Sequence, residues 1–134
     1  MSKDISEGAV FHLNLSPSEK PHFHIIANNP QRDSILLLGV ITSHGQMSKD
    51  DAAERDESPQ TIVDISPTQC SCLNYDSVVD CSNPRTIKKN LLAQKIANQE
   101  ATYKCKVPLD VTRAIRNGVQ KSKQANSLAK GLSN

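Results

Sequence analysis

The chain has no tryptophan, and two Phe with two Tyr are its only aromatics, 3% of 134 residues. Its core must therefore be aliphatic and modest. No run of about 18 apolar residues occurs, which excludes a membrane-spanning helix. The opening MSKDISEG lacks the apolar stretch of a signal peptide, so the expectation is a cytoplasmic chain with no membrane association. Length and a hydrophobic share of 37% predict one domain with one core.

Four cysteines are present, Cys70, Cys72, Cys81 and Cys105. A cytoplasmic setting disfavours disulfides. Zinc is the sharper alternative, with Cys70 and Cys72 offering two thiolates and Cys81 and Cys105 two more. The usual structural spacing is C-x₂₋₄-C, however, and C-x-C departs from it. The expectation is four inert thiols, no metal and no cofactor.

The net charge of +2 conceals two halves of opposite sign. Residues 1–84 hold five Lys and Arg against twelve Asp and Glu, whereas residues 85–134 hold eleven against two. A basic half of this kind favours a polyanion or an acidic polypeptide as partner, although a solvated helix and tail would look the same.

Along the chain, residues 9–15 (AVFHLNL) alternate, with Phe11, Leu13 and Leu15 on one face, and predict a half-buried strand. Residues 22–28 (HFHIIAN) predict a second strand. Residues 34–42 (SILLLGVIT) are apolar almost throughout and predict a central strand covered on both sides. Residues 43–60 are polar and largely acidic, and predict a long mobile loop. Short strands are expected at 61–65 and 77–81, a short helix across Leu92 and Ile96, and a last strand at 101–107. Pro108 then stands where a helix can start, and Val111, Ala114, Ile115 and Val119 form its apolar stripe. Residues 124–134 read as a frayed tail. Short strands and turns followed by a terminal helix indicate a mainly β protein, a small barrel or rolled sheet closed by that helix.

The order of these segments, and one corner, resemble a known family. The corner is Val78-Val79-Asp80-Cys81-Ser82-Asn83-Pro84-Arg85-Thr86-Ile87. With it go a Gly8-to-Pro17 opening strand, an aliphatic strand from His22 to Asn28, Val40-Ile41-Thr42-Ser43, and a helix led by Val107-Pro108. Together they resemble the PemK/MazF toxins of type II toxin–antitoxin systems, from about Gly8 to about Lys123. The resemblance implies an SH3-like barrel over residues 1–123, homodimerisation, a cognate antitoxin, and metal-independent, sequence-specific cleavage of single-stranded RNA through the ribose 2′-OH. Such cleavage requires a base for the 2′-OH proton, an acid for the leaving oxygen and a donor for the developing charge.

Against the family pattern, Asp80 stands where an Arg precedes the Cys, Ser82 where an Asp follows it, and His22-Phe23 where an Arg-Pro pair begins the second strand. A rebuilt site is therefore expected. His22 or His24 would be base and His44 acid, because imidazole suits both tasks. Arg85, Thr42 and Ser43 would stabilise the charge, Asp80 would orient a His or accept a proton, and Ser82 would complete the corner. Lys88, Lys89 and Lys104 would hold the RNA backbone. Each group also has a plainer reading. His22 and His24 would be exposed polar positions or a metal pair, and Thr42-Ser43 a strand end. Arg85 would partner a carboxylate, and Asp80 would cap a backbone N–H. The rival function is a catalytically degenerate module that binds RNA or an antitoxin.

Overall fold

The computed structural model describes residues 4–134. Seven antiparallel strands form one sheet: β1 (Ala9–Leu13), β2 (His22–Ile26), β3 (Ile35–Thr42), β4 (Ile62–Ile65), β5 (Ser77–Asp80), β6 (Arg85–Lys88) and β7 (Ala101–Lys106). Among the described residues four α-helices accompany them: α1 (Gly45–Glu54), α2 (Lys89–Ala97), α3 (Leu109–Lys121) and α4 (Ser127–Leu132), with one short 3-10 turn at Pro59–Thr61. The strand order is β4-β5-β3-β2-β1-β7, with β6 added alongside β3. Among the described residues no pairing joins β4 to β7, so the sheet is rolled but open. No described helix is long and apolar enough to cross a membrane.

Strand β3 is the axis. Its neighbour on one side is β2, where Leu38 faces Ile26 and Val40 faces His24. On the other side its first half pairs β6, with Ile35 opposite Lys88 and Leu38 opposite Arg85, and its end pairs β5, with Thr42 opposite Val78. Between these two pairings the register advances by three residues, so the polar corner after Asp80 is an excursion within one long partner strand. Near-continuous apolarity suits such a position, because both faces of β3 are covered. Leu37 and Ile41 enter a core under α3 together with Val10, Ile25, Val79, Val111, Ile115 and Val119. Leu36 and Leu38 enter a second core with Phe11, Leu13, Ile26, Ile87 and Leu92.

Two expectations are corrected. Strand β1 is not half-buried: Val10 serves the first core and Phe11 the second, because helices α3 and α2 cover opposite faces of the sheet. The stretch 43–60 is not a loop throughout, since it contains α1. That helix buries only Ala52, beside Ile62 and Val78, and is supported by polar contacts such as Gln46 Nε2 to Asp50 Oδ1 at 2.9 Å and the Lys49–Asp64 ion pair at 3.1 Å. A helix that docks through one alanine leaves no apolar period to read. The segment after it is anchored by Glu57, whose carboxylate accepts from Ser122 Oγ and the Lys123 amide, both at 2.8 Å. Burial alone would raise the pKa of Glu57; these bonds and the nearby Arg55 charge outweigh it and hold the group below its ordinary value.

The tail also differs from expectation. Asn126 caps α4 by accepting from the Ala129 amide at 2.8 Å, and Ala129 is buried. The strand β6 and its hairpin-like return were not foreseen, since Arg85 to Lys88 carries one buried residue, Ile87.

Gly118 sits inside α3, three residues before its end, where glycine costs up to about 1 kcal/mol against alanine. Close approach explains it: a Cβ there would lie 2.7 Å from Cys81 Sγ and 2.7 Å from the Gln60 carbonyl oxygen. Gly118→Ala is therefore expected to lower the unfolding free energy by about 1–3 kcal/mol despite the better helix residue, read as a lower urea midpoint with unchanged slope.

Candidate functional site

Strand alternation places His22 and His24 on the same face of β2, their ring centroids 6.4 Å apart. Their surroundings differ sharply. His22 is exposed at the strand's start, while His24 is 2% exposed and inside the protein. Its Nδ1 lies 3.0 Å from the His22 carbonyl oxygen, which can only accept, so Nδ1 carries the proton. Burial pushes the His24 pKa down to about 4, and the favourable bond to that carbonyl recovers only part of the loss. His24 is therefore a neutral structural imidazole.

At the far end of β3, Thr42 Oγ1 accepts from the His44 amide at 3.2 Å, a local turn that directs the chain into α1. This turn brings Thr42, Ser43 and His44 to the rim of a cleft of about 330 Å³, which they line with His12, His22, Phe23, Cys72 and Tyr75. The cleft thus unites four of the residues singled out by sequence: His22, Thr42, Ser43 and His44. His12 packs against Phe23 with ring centroids 5.0 Å apart.

Thr42 also borders a neighbouring groove of about 410 Å³, lined by Val40, Ser48, Asp80, Asn83 and Arg85. Here the side chains make the contacts of the plainer readings. Asp80 accepts from the Ser82 amide at 3.0 Å, from Ser82 Oγ at 2.6 Å and from Asn83 Nδ2 at 3.3 Å, so its carboxylate folds the corner. Ser82 is buried, and its Oγ also accepts from Arg55 Nη2 at 3.2 Å. Arg85 forms a two-pronged pair with Glu19, Nη2 to Oε1 at 3.0 Å and Nη1 to Oε2 at 3.4 Å. Cys81 is an inert thiol, its pKa raised to about 12 by burial and by the adjacent Asp80.

Two charges at this site escaped the sequence. Arg55 reaches the corner from the end of α1, 4.0 Å from Asp80. Its Nε is buried and lacks a hydrogen-bond partner. Glu19 reaches Arg85 across 66 residues of chain. Neither lies in a motif, and only the packing of α1 and of the β1–β2 connection brings them in.

The three lysines do not assemble with the cleft. Lys88 faces Ile35, seven residues along β3 from Thr42, roughly 23 Å away at strand spacing. Lys89 Nζ donates to the Pro30 carbonyl oxygen at 2.7 Å, and Lys104 is exposed on the edge strand β7.

No family model and no curated protein sequence matches the chain. Among solved structures it is similar to the Mycobacterium tuberculosis toxin MazF-mt6, with a TM-score of 0.53 at 15% identity over 84% of this chain and 92% of that one. The fold is therefore of the MazF/PemK type.

The buried His24 carries a pH prediction. The unfolded chain takes up a proton near pH 6.5 that the folded protein refuses until about 4. Stability is therefore full above 6.5 and falls as the pH drops from 6.5 to 4, by at most about 3 kcal/mol from this residue. His24→Asn should make the fall in melting temperature over that interval shallower than in wild type, measured by circular dichroism.

Proposed function

We propose that the chain is a toxin of the MazF/PemK kind, a cytoplasmic endoribonuclease that cuts single-stranded RNA without a metal and is held in check by an acidic antitoxin. The observation that carries this reading is the meeting of His22 and His44 with Thr42 and Ser43 in one cleft of a MazF-type fold. Two solvent-accessible imidazoles and two hydroxyls are the groups that ribose-assisted cleavage needs.

In this mechanism one imidazole takes the 2′-OH proton as the ribose oxygen attacks phosphorus. The other gives a proton to the departing 5′-oxygen, leaving a 2′,3′-cyclic phosphate. His22 is the base in preference to His24, which is buried inside the protein and disfavoured by that burial from taking up a proton. The hydroxyls of Thr42 and Ser43 donate to the phosphorane oxygens. Arg85 engages phosphate by exchanging its bond to Glu19 for a bidentate contact of the same geometry. Asp80 and Ser82 act through the corner, keeping Arg85 and Thr42 on the same groove. Lys88, Lys89 and Lys104 belong to the wider basic surface that attracts RNA electrostatically, along with the rest of the positive half. A homodimer is part of the proposal.

The rival reading, a non-catalytic module binding RNA or antitoxin, is favoured by one specific observation. Asp80 and Ser82, at the positions where the family pattern has an Arg and an Asp, are committed to each other and to the corner.

The test is incubation of purified protein with long single-stranded RNA in EDTA, followed by end-group analysis. Discrete cuts bearing 2′,3′-cyclic phosphates are expected, with His22→Ala and His44→Ala each slowing cleavage by about 10²–10⁴-fold while the fold persists. Cleavage by both variants at the wild-type rate would sink the imidazole mechanism, and a folded wild type inert on several RNAs at low salt would support the binding module.

A further inference from the structure

One cluster of reactive side chains plays no part in the mechanism above. Cys70 and Cys72 lie on the connection between β4 and β5, and Cys105 lies on the edge strand β7. Their sulfurs form a triangle, with Cys70 to Cys72 at 3.2 Å, Cys70 to Cys105 at 3.2 Å and Cys72 to Cys105 at 3.7 Å. Cys81, the fourth cysteine, is elsewhere, against Gly118 of α3.

The triangle has the dimensions of a metal's ligand face. Around a tetrahedral zinc with Zn–S bonds of about 2.3 Å, ligand sulfurs stand about 3.8 Å apart. Two of the three separations therefore need to open by about 0.6 Å and the third by about 0.1 Å. A disulfide would require a much shorter sulfur separation, about 2.0 Å, for one pair and would strand the third thiol. The donor set is sulfur throughout, which selects zinc-like soft cations over magnesium or calcium. Burial is graded in the right sense: Cys70 is fully buried, Cys105 nearly so, and Cys72 is half-buried and forms part of the cleft wall.

We propose that Cys70, Cys72 and Cys105 bind one zinc ion, with the fourth coordination position on the cleft side, next to Cys72, filled by water. On binding, three Zn–S bonds form, the thiol protons pass to solvent, and nothing changes oxidation state. The ion's role is structural. It clamps the β4–β5 connection onto β7, and that connection supplies Leu73, Asn74 and Tyr75 to one wall of the cleft. Sequence spacing could not separate these three from Cys81, because Cys105 is 33 residues from Cys72 and only the sheet edge brings it back.

The test uses the full chain, purified and reduced, then loaded with Zn²⁺ or Co²⁺ and passed through a desalting column. Mass spectrometry should find one zinc per chain, and the cobalt form should show an intense near-ultraviolet thiolate-to-metal band. Cys81→Ala should keep both signals. Cys72→Ser, at a half-buried position chosen so that folding survives, and Cys105→Ser should bind at least about 100-fold more weakly, beyond the 10–100-fold cost of altering an outer-shell contact. Zinc should also raise the melting temperature of wild type but not of Cys72→Ser. A folded, reduced wild type that retains no zinc and shows no cobalt band overturns the proposal. So does zinc retained equally by both serine variants, or a disulfide within the trio whose reduction restores no metal uptake. None of these readouts involves RNA, and running the RNA incubation both with and without EDTA keeps loss of zinc distinguishable from absence of ribonuclease chemistry.

Discussion

Strand β3 is paired along both edges and covered on both faces, and nearly everything else in the molecule is placed by that double burial. Its alternate residues feed two different cores, so β2, β5 and β6 have one register that keeps each apolar side chain on its own side. A slip of one residue would exchange the two cores, a change neither α2 nor α3 would accommodate. The end of β3 inherits this rigidity. Thr42 is the last residue of that strand, and its hydroxyl accepts from the His44 amide in the turn that carries Ser43 and His44 to the cleft rim.

The corner after β5 shows how polar residues are used once the sheet is set. Three extra residues must leave the β3 edge and return to it, and the backbone groups released there need partners. Asp80 supplies them, its carboxylate accepting from the Ser82 amide and its carbonyl oxygen from the Asn83 amide, and Arg55 closes the arrangement from α1. The same carboxylate cannot serve freely as a proton acceptor while it holds the corner. In the proposed mechanism the chemistry at the neighbouring cleft therefore falls to the imidazoles and hydroxyls, and Arg85 would exchange its bond to Glu19 for one to phosphate.

The opposite charges of the two halves are woven together in the fold. Glu7 accepts from Thr112 and from Arg116, and Arg116 also donates to the Ala27 carbonyl. Burial alone would raise the pKa of Glu7, but those two bonds outweigh it and lower the pKa below the ordinary value. Acidic residues of the first half are thus consumed in docking the basic helix α3, and the remaining lysines are scattered over the surface rather than gathered at the cleft.

Local pattern determined the strands of the sheet's centre, the amphipathic start of α3 after Pro108, and the presence of Thr42, Ser43, His44 and His22 as reactive candidates. Those signals are short-range: alternation, a helical stripe, a turn residue. Tertiary structure decided the rest. Helix α1 was invisible because one buried alanine leaves no period, and α4 because its hold is a cap and a few bonds to Gln120. His22 and His24 are indistinguishable two residues apart in sequence, yet the second core takes one imidazole out of water and leaves the other in it. The pairing of Arg85 with Glu19 and the triangle of Cys70, Cys72 and Cys105 depend on segments that meet only after the sheet has rolled. Burial and long-range proximity are properties of the whole packed chain, and no window of residues contains them.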